Sequence, residues 1–241
     1  MSLALLRSRF ARGRLASERG FTMIELLVSL IAGGIISTAS LYTVIVSLHF
    51  SSNYQDRIDS NQQGRVAMVR VMQVLDSACV AAQVPPVVAG STATKLVVYS
   101  NQSDAATIEP NLVTIQLTGG ALTMGTQAWS SGAYPNYSFS GTTANFTLLP
   151  HAVQATLNGS GSQPVFQYYG YSAGGVLSTT PYAVPLSAAN AATTAEVAVA
   201  YQALPTDNWN SLGRGANFND SAVLRLTPAS GDSTASNAPC T

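Results

Sequence analysis

The sequence predicts an α+β protein, in which a long N-terminal α-helix packs through its second half on an antiparallel β-sheet. Two observations support this fold class. The chain carries no formal charge from Leu26 to Gln55 and no proline before Pro85, so one helix can continue beyond the apolar run. After Pro86 the helical periodicity gives way to short β-prone runs separated by turn residues.

The first half of this helix is long enough to span a membrane. Its uncharged run has 30 residues, and a helix needs roughly 20 apolar residues to cross a bilayer core. Further along, apolar residues recur at spacings of three and four and define one helical face: Met68, Val71, Met72, Leu75 and Cys79. We expect a helix from Phe21 to about Val80, whose outer half forms the spine of an extracytoplasmic domain.

Seven short runs beyond the prolines have the composition of β-strands. They are Lys95 to Tyr99, Leu112 to Leu117, Ala121 to Met124, Phe146 to Leu149, Val165 to Tyr171, Glu196 to Tyr201 and Ala222 to Leu226. The pair Gly119-Gly120 predicts a two-residue hairpin between the second and third runs. Residues 125–141, 174–194 and 205–221 are predicted loops, and we expect most of their aromatic side chains to fold back over the sheet.

The start of the apolar run has an unusual arrangement. A leader with five arginines ends at Gly20, the run begins at Phe21, and Glu25 is the one carboxylate near its beginning. A charge near the bilayer centre costs on the order of 2.5 to 3.5 kcal/mol on insertion scales. We therefore expect a partner for Glu25. Gly20 has no side chain, so its carbonyl could enter a narrow peptidase site.

The segment Arg19 to Leu30, with Gly-Phe-Thr-x-Ile-Glu-Leu-Leu behind a basic leader, resembles the class III signal of type IV prepilins and type II secretion pseudopilins. The resemblance implies that a membrane aspartyl prepilin peptidase cuts between Gly20 and Phe21 and then N-methylates Phe21. It also implies that Glu25 pairs with the Phe21 amine of a neighbouring subunit. The alternative is a signal-anchor helix, with Glu25 near the interface and no filament.

The resemblance also implies a domain order. Residues 1–20 are a cytoplasmic leader that is removed, and residues 21–50 form the transmembrane and filament-core helix. Residues 51–84 form the extracytoplasmic half of the helix, and residues 85–241 form a β-rich pilin globular domain with long loops. The arginines keep the leader in the cytoplasm and send the C-terminus outward. The implied location is the cytoplasmic membrane as a single-pass protein, followed by an extracytoplasmic pilus or pseudopilus.

Charge and motifs narrow the function. From Phe21 onward the chain has 6 basic and 10 acidic residues, a net charge of −4, which disfavours direct binding of nucleic acid. Stacking of single-stranded DNA on loop aromatics stays an alternative. No GxSxG, HExxH or phosphate-loop motif occurs, so we expect neither an enzyme nor a cofactor. An asparagine-rich run from Asp207 to Asp220 leaves calcium as a further alternative.

The chain has two cysteines, Cys79 and Cys240. An even number in an exported domain favours a disulfide. This bond would close a loop of about 160 residues and contribute around 5 kcal/mol in the chain-entropy model. The alternative is two unpaired thiols, and two cysteines without CxxC spacing or a nearby histidine make a metal site improbable.

The outer part resembles a narrower group, the PilW-like or J-type minor pilins. The resemblance rests on Gln63 to Val66, Pro164 to Tyr169, Ala195 to Val199 and Ser221 to Leu226. It implies a structural minor pilin that acts in pilus initiation or at the tip. Its partners would be other pilin or pseudopilin subunits, the prepilin peptidase, the inner-membrane assembly platform and the membrane before assembly. The alternatives are a minor pseudopilin of type II secretion and a tip-located adhesive or DNA-uptake module.

Overall fold

A computed structural model describes residues 21–79, 85–101, 110–132, 136–156, 161–172, 175–206 and 215–224. Within these ranges the elements follow in the order α1 (Met23–Asp76), β1 (Lys95–Ser100), β2 (Asn111–Thr118), β3 (Ala121–Gln127), β4 (Trp129–Ser131), β5 (Ser138–Phe139), β6 (Ala144–Leu149), β7 (Ala152–Gln154), β8 (Phe166–Gly170), α2 (Ala188–Thr193), β9 (Thr194–Ala203) and β10 (Ala216–Val223). A long N-terminal helix followed by antiparallel sheets confirms the predicted α+β class. The chain divides into two compact units between Ser51 and Ser52.

The described part of the first unit is the apolar half of α1. Its side chains from residue 21 to residue 50 are exposed, apart from Val46, which is partly covered. The helix contains a segment long and apolar enough to cross a membrane, and none of that segment is buried within the protein. A helix that is apolar all round requires lipid or other helices around it.

In the second unit, α1 presents the predicted apolar face to the core. Met68, Val71, Leu75 and Cys79 are buried and Met72 is partly buried. The helix ends at Asp76, four residues before the predicted end near Val80.

The earlier end of α1 has a cause in the contacts of the residues that follow. The Ser77 hydroxyl donates to the Val74 carbonyl (3.0 Å) and lies 2.6 Å from the Ser100 hydroxyl. Ala78 then forms a β-bridge with Ser100, and the Cys79 amide donates to the Tyr99 carbonyl (2.8 Å). Pairing with the end of β1 thus draws the chain out of the helix before Pro85.

The first sheet has the strand order β1-β2-β3-β6, with every pair antiparallel. The predicted hairpin joins β2 to β3, and Gly119 and Gly120 have φ angles of 59° and 78°. Two successive positive φ angles match the right-handed twist of the strands and favour glycine at both positions. Alternate residues of β1, β2 and β3 are buried in the core: Leu96, Val98, Val113, Ile115, Leu122 and Met124.

The second sheet is built around β9. Strand β10 pairs with one edge of β9, while β8 and β7 share the other edge, all antiparallel. Two of its tyrosines are fully buried, and both make long-range hydrogen bonds. The Tyr168 hydroxyl donates to the Thr92 carbonyl (3.0 Å), and the Tyr201 hydroxyl donates to the Gly64 carbonyl of α1 (2.8 Å). Burial raises the pKa of Tyr168 and of Tyr201 above the ordinary tyrosine value.

Each of the seven predicted runs overlaps a strand of the structure, but the predicted loops also contain regular elements. Strands β4 and β5 form a small two-stranded sheet within residues 125–141. Helix α2 lies within residues 174–194, and the Ser187 hydroxyl caps it by accepting from the Asn190 amide (3.2 Å). Strand β10 begins at Ala216, six residues before its predicted start at Ala222.

Candidate processing and assembly site

The first turn of α1 is capped by Thr22. The amides of Glu25 and Leu26 donate to the Thr22 carbonyl at 3.0 and 3.2 Å, and the Glu25 amide lies 3.4 Å from the Thr22 hydroxyl. Thr-x-x-Glu at a helix start is the spacing of a capping box. Sequence reasoning gave Thr22 no role, although this spacing in Thr22-Met23-Ile24-Glu25 was available to identify it.

Phe21 and Glu25 lie at the same end of the helix. Phe21 precedes the first turn and is 74% exposed, and Glu25 is an exposed acid within that turn. The partial positive charge of a helix N-terminus stabilises a carboxylate there. Both groups are accessible to a second molecule. Gly20, the predicted residue before the cleaved bond, lies outside the described residues.

Several hydroxyl groups of the apolar segment are satisfied by the backbone of the helix itself. The Ser29 hydroxyl donates to the Glu25 carbonyl (2.9 Å), the Thr38 hydroxyl to the Gly34 carbonyl (2.8 Å) and the Thr43 hydroxyl to the Ser40 carbonyl (2.8 Å). Such bonds allow hydroxyls to enter lipid, where no water replaces a missing partner. A carboxylate only accepts, so the free amides of the first turn are the only backbone donors that the helix offers it.

Comparison with protein families gives one match. Residues 15–41 match the model of the prokaryotic N-terminal methylation motif. The match covers 27 of the 241 residues and supports a type IV pilin or pseudopilin. The matched residues include Gly20, Phe21, Thr22 and Glu25. Comparisons with curated proteins and with solved structures found no significant match.

The matched motif has general consequences in the family that it supports. A type IV pilin or pseudopilin is processed by prepilin peptidase and interacts with other pilin subunits, and proteins of the family are generally structural rather than enzymatic. The class III signal and the long apolar helix fit a membrane-anchored pilin. The motif ends at residue 41, within the apolar half of α1, and does not distinguish a pilus subunit from a secretion pseudopilin.

Of the two cysteines, Cys79 is fully buried just beyond the end of α1. Cys240 lies outside the described residues, so its pairing with Cys79 stays a prediction. Among the residues that the structure describes, no three His, Cys, Asp or Glu side chains are grouped to hold a metal ion. Asp207 and the asparagines next to it lie outside the described ranges, whereas Asp220 lies in β10.

Two of the predicted loop aromatics lie against other rings, whereas Trp129 lies in β4 and its indole N–H donates to the Gly132 carbonyl (3.0 Å). Tyr137 meets Tyr99 edge-on, with centroids 5.5 Å apart and planes at 71°. Phe218 stacks on Tyr201 at 5.6 Å and 28°. These contacts agree with the expectation that such rings fold back over the sheets. Tyr134 and Trp209 lie outside the described residues.

Proposed function

We propose that the chain is a structural minor pilin of a type IV pilus, acting in pilus initiation or at the tip. The observation that carries the proposal is the methylation motif at the head of a helix whose first 30 residues are apolar and exposed, with one carboxylate in its first turn. Lipid covers such a helix before assembly, and the helices of neighbouring subunits cover it afterwards.

The processing chemistry follows from the start of the helix. Prepilin peptidase cuts the bond between Gly20 and Phe21, which removes residues 1–20 and exposes a new amine at Phe21, and this amine is then N-methylated. The Glu25 carboxylate of one subunit pairs with the Phe21 amine of its neighbour. The pairing offsets the cost of a lone charge in lipid, on the order of 2.5 to 3.5 kcal/mol, and helps to fix the register of the incoming helix.

The proposed location follows from the leader and the helix. Residues 21–50 cross the cytoplasmic membrane, and the five arginines of the leader hold the N-terminus inside. Residues 51–84 and 85–241 then lie outside, where they meet the other pilin subunits. The inner-membrane assembly platform lifts the subunit from the membrane into the filament.

A minor role suits the outer unit better than a bulk role. A bulk subunit must tile with copies of itself, which favours a regular outer surface. Here the separate β4–β5 sheet is inserted between β3 and β6 of the first sheet, and connections of several residues join β7 to β8 and β8 to α2. The resemblance to PilW-like or J-type minor pilins supports the same assignment.

A disulfide between Cys79 and Cys240 is part of the proposal. The bond would attach the C-terminal residues to the buried end of the helical spine. In the chain-entropy model it contributes around 5 kcal/mol. Alkylation of the denatured, unreduced protein should therefore label neither cysteine, and labelling of both would contradict the bond.

The functional test is a clean chromosomal deletion, scored for surface pili, DNA uptake and secreted proteins. Loss of pili or DNA uptake with intact secretion supports a type IV pilus subunit. Loss of secreted proteins with intact pili instead indicates a minor pseudopilin of type II secretion. A deletion that changes none of the three contradicts both assignments.

Complementation of the deletion separates processing from folding. Gly20→Val places a branched side chain at the cleavage site and should block removal of the leader. Gly20→Ala, which adds one methyl group, is the matched control and should retain most cleavage. Intact mass of membrane material gives the result, and full processing of the valine variant would contradict the assigned cleavage bond.

A further inference from the structure

A polar groove runs across the outer face of the first sheet. It has a volume of about 190 Å³, which corresponds to several water molecules at about 30 Å³ each. The strands β2 and β3 and the segment leading into β6 contribute its hydroxyl and amide side chains, around a central glycine: Thr114, Gln116, Thr123, Gly125, Gln127, Thr143 and Asn145.

The strand register explains the shape of the groove. Thr114, Gly125 and Asn145 are partners across three neighbouring strands, so Gly125 leaves a gap between two polar side chains. A Cβ atom at this position would come within 2.9 Å of both the Asn145 amide oxygen and a Thr143 methyl carbon. The Asn145 and Thr143 side chains can lie this close to the strand because residue 125 is glycine.

An aromatic cluster lies beside the groove on the same face. Strand pairing aligns Tyr99 of β1, Leu112 of β2 and Gln127 of β3. Because neighbouring strands are about 4.8 Å apart, Tyr99 lies about 10 Å from Gln127. The partly buried Tyr99 ring stacks on Phe139, with centroids 5.8 Å apart and planes at 14°. Gln127 donates to the carbonyl of Ser140 (3.3 Å), directly after Phe139. This bond links the groove to the cluster.

The groups in the groove define the chemistry of a ligand. Hydroxyls and amides both donate and accept hydrogen bonds, and none of the lining side chains carries a charge. Phosphate and nucleic acid require cationic partners, so they do not fit. Sugar hydroxyls also donate and accept, and the weakly positive C–H face of a sugar ring suits the negative face of an aromatic ring. We propose that the groove and the adjacent aromatic cluster bind an uncharged glycan.

The proposal gives the chain a binding activity in addition to its structural role, and it does not depend on whether the assembly is a pilus or a pseudopilus. The test uses the purified full chain in lipid nanodiscs. Equilibrium binding is measured to immobilised dextran, mannan, galactan, xylan and cellulose oligosaccharides. Heparin serves as the anionic comparison.

Two variants remove the proposed contacts. Gln116→Met with Thr123→Val deletes an amide and a hydroxyl at nearly constant volume, and should weaken binding roughly tenfold or more, since each hydrogen bond contributes about 1 kcal/mol. Gly125→Ala should weaken binding because the added methyl group displaces the Asn145 and Thr143 side chains, which line the groove. The matched control, Gln62→Met with Thr179→Val, makes the same changes at exposed positions on α1 and beside the second sheet.

The expected result is binding to at least one neutral glycan that falls in the groove variants and is unchanged in the control. Melting temperatures identify any variant that has unfolded. If one groove variant has unfolded, binding by the other groove variant tests the proposal. The proposal is overturned if the wild type binds no neutral glycan at millimolar sugar or binds heparin alone. It is also overturned if the control variant loses as much binding as the groove variants. Pilus assembly by the groove variants is scored separately and should be normal, so failure of the glycan site is distinguishable from failure of the minor-pilin assignment.

Discussion

Gly64→Ala tests how α1 packs on the second sheet. Gly64 is buried on the inner face of the helix, and a Cβ atom there would overlap the ring of Phe218. That ring is held by its stack on Tyr201, with centroids 5.6 Å apart and planes at 28°. The side chain that glycine lacks would therefore occupy space that an aromatic ring already fills.

Two opposing effects decide the magnitude. Alanine favours the helix by about 1 kcal/mol over glycine. Overpacking a filled site typically costs about 1 to 3 kcal/mol, and displacing the Phe218 ring forfeits a stack of about 0.5 to 1.5 kcal/mol. We expect Gly64→Ala to lower the free energy of unfolding by about 1 to 3 kcal/mol, although the substitution improves helix propensity.

The assay is denaturant unfolding of the full chain in detergent micelles, followed by tryptophan fluorescence. Trp129 and Trp209 both lie beyond residue 85, so the signal reports on the outer unit. A double-mutant cycle with Phe218→Ala isolates the ring. In that background Gly64→Ala should be neutral, or stabilising by up to about 1 kcal/mol. Equal destabilisation in both backgrounds would refute the reasoning.

Three further outcomes are expected. Tyr201→Phe deletes the buried hydrogen bond to the helix and should lower the free energy of unfolding by about 0.5 to 1.5 kcal/mol. The control Tyr182→Phe deletes an exposed hydrogen bond and should change the free energy of unfolding by less than about 0.5 kcal/mol. Equal effects of the two substitutions would contradict the structural role of burial. Burial raises the pKa of Tyr168 and of Tyr201, so above about pH 10 the unfolded chain loses these protons while the folded chain keeps them. Stability should then fall by about 1.4 kcal/mol per pH unit for each tyrosine, and Tyr168→Phe should make that fall shallower. Glu25→Ala should leave membrane insertion and leader cleavage largely intact but reduce the amount of protein in sheared filaments, measured by immunoblot against the cell-associated pool. Normal incorporation would mean that this subunit does not need the carboxylate.

Periodicity explains why most of the fold could be read from the sequence. The apolar face of the outer half of α1 and the alternation in β1 and β3 are local patterns, and burial in the structure follows them. The first six residues of β10 were missed because asparagine and aspartate are poor strand formers. Its pairing with β9 and the packing of Phe218 and Ala222 on the core override that local preference.

The proposed processing site and the groove differ in how the sequence encodes them. A peptidase reads a contiguous segment, so Gly20, Phe21 and Glu25 were visible in the chain, as was the Thr22 cap. The groove depends on Thr114, Gly125 and Asn145 meeting across three strands. That meeting depends on the register of the β2–β3 hairpin and on the irregularity between Leu122 and Thr123 in the β3–β6 pairing, which no local pattern specifies.

In the assembly that we propose, the two units divide the tasks between them. The first exposes apolar side chains all round, and apolar contact is non-directional, so this surface favours association without selecting a neighbour. A single carboxylate in the first turn adds a register, because it must meet a cation to avoid the cost of an unpaired charge in lipid. The register is the same for any subunit that has the same motif, however. Choice among such subunits must therefore come from the outer unit, whose polar sheet faces and exposed edge strands β6 and β10 present directional hydrogen-bonding groups.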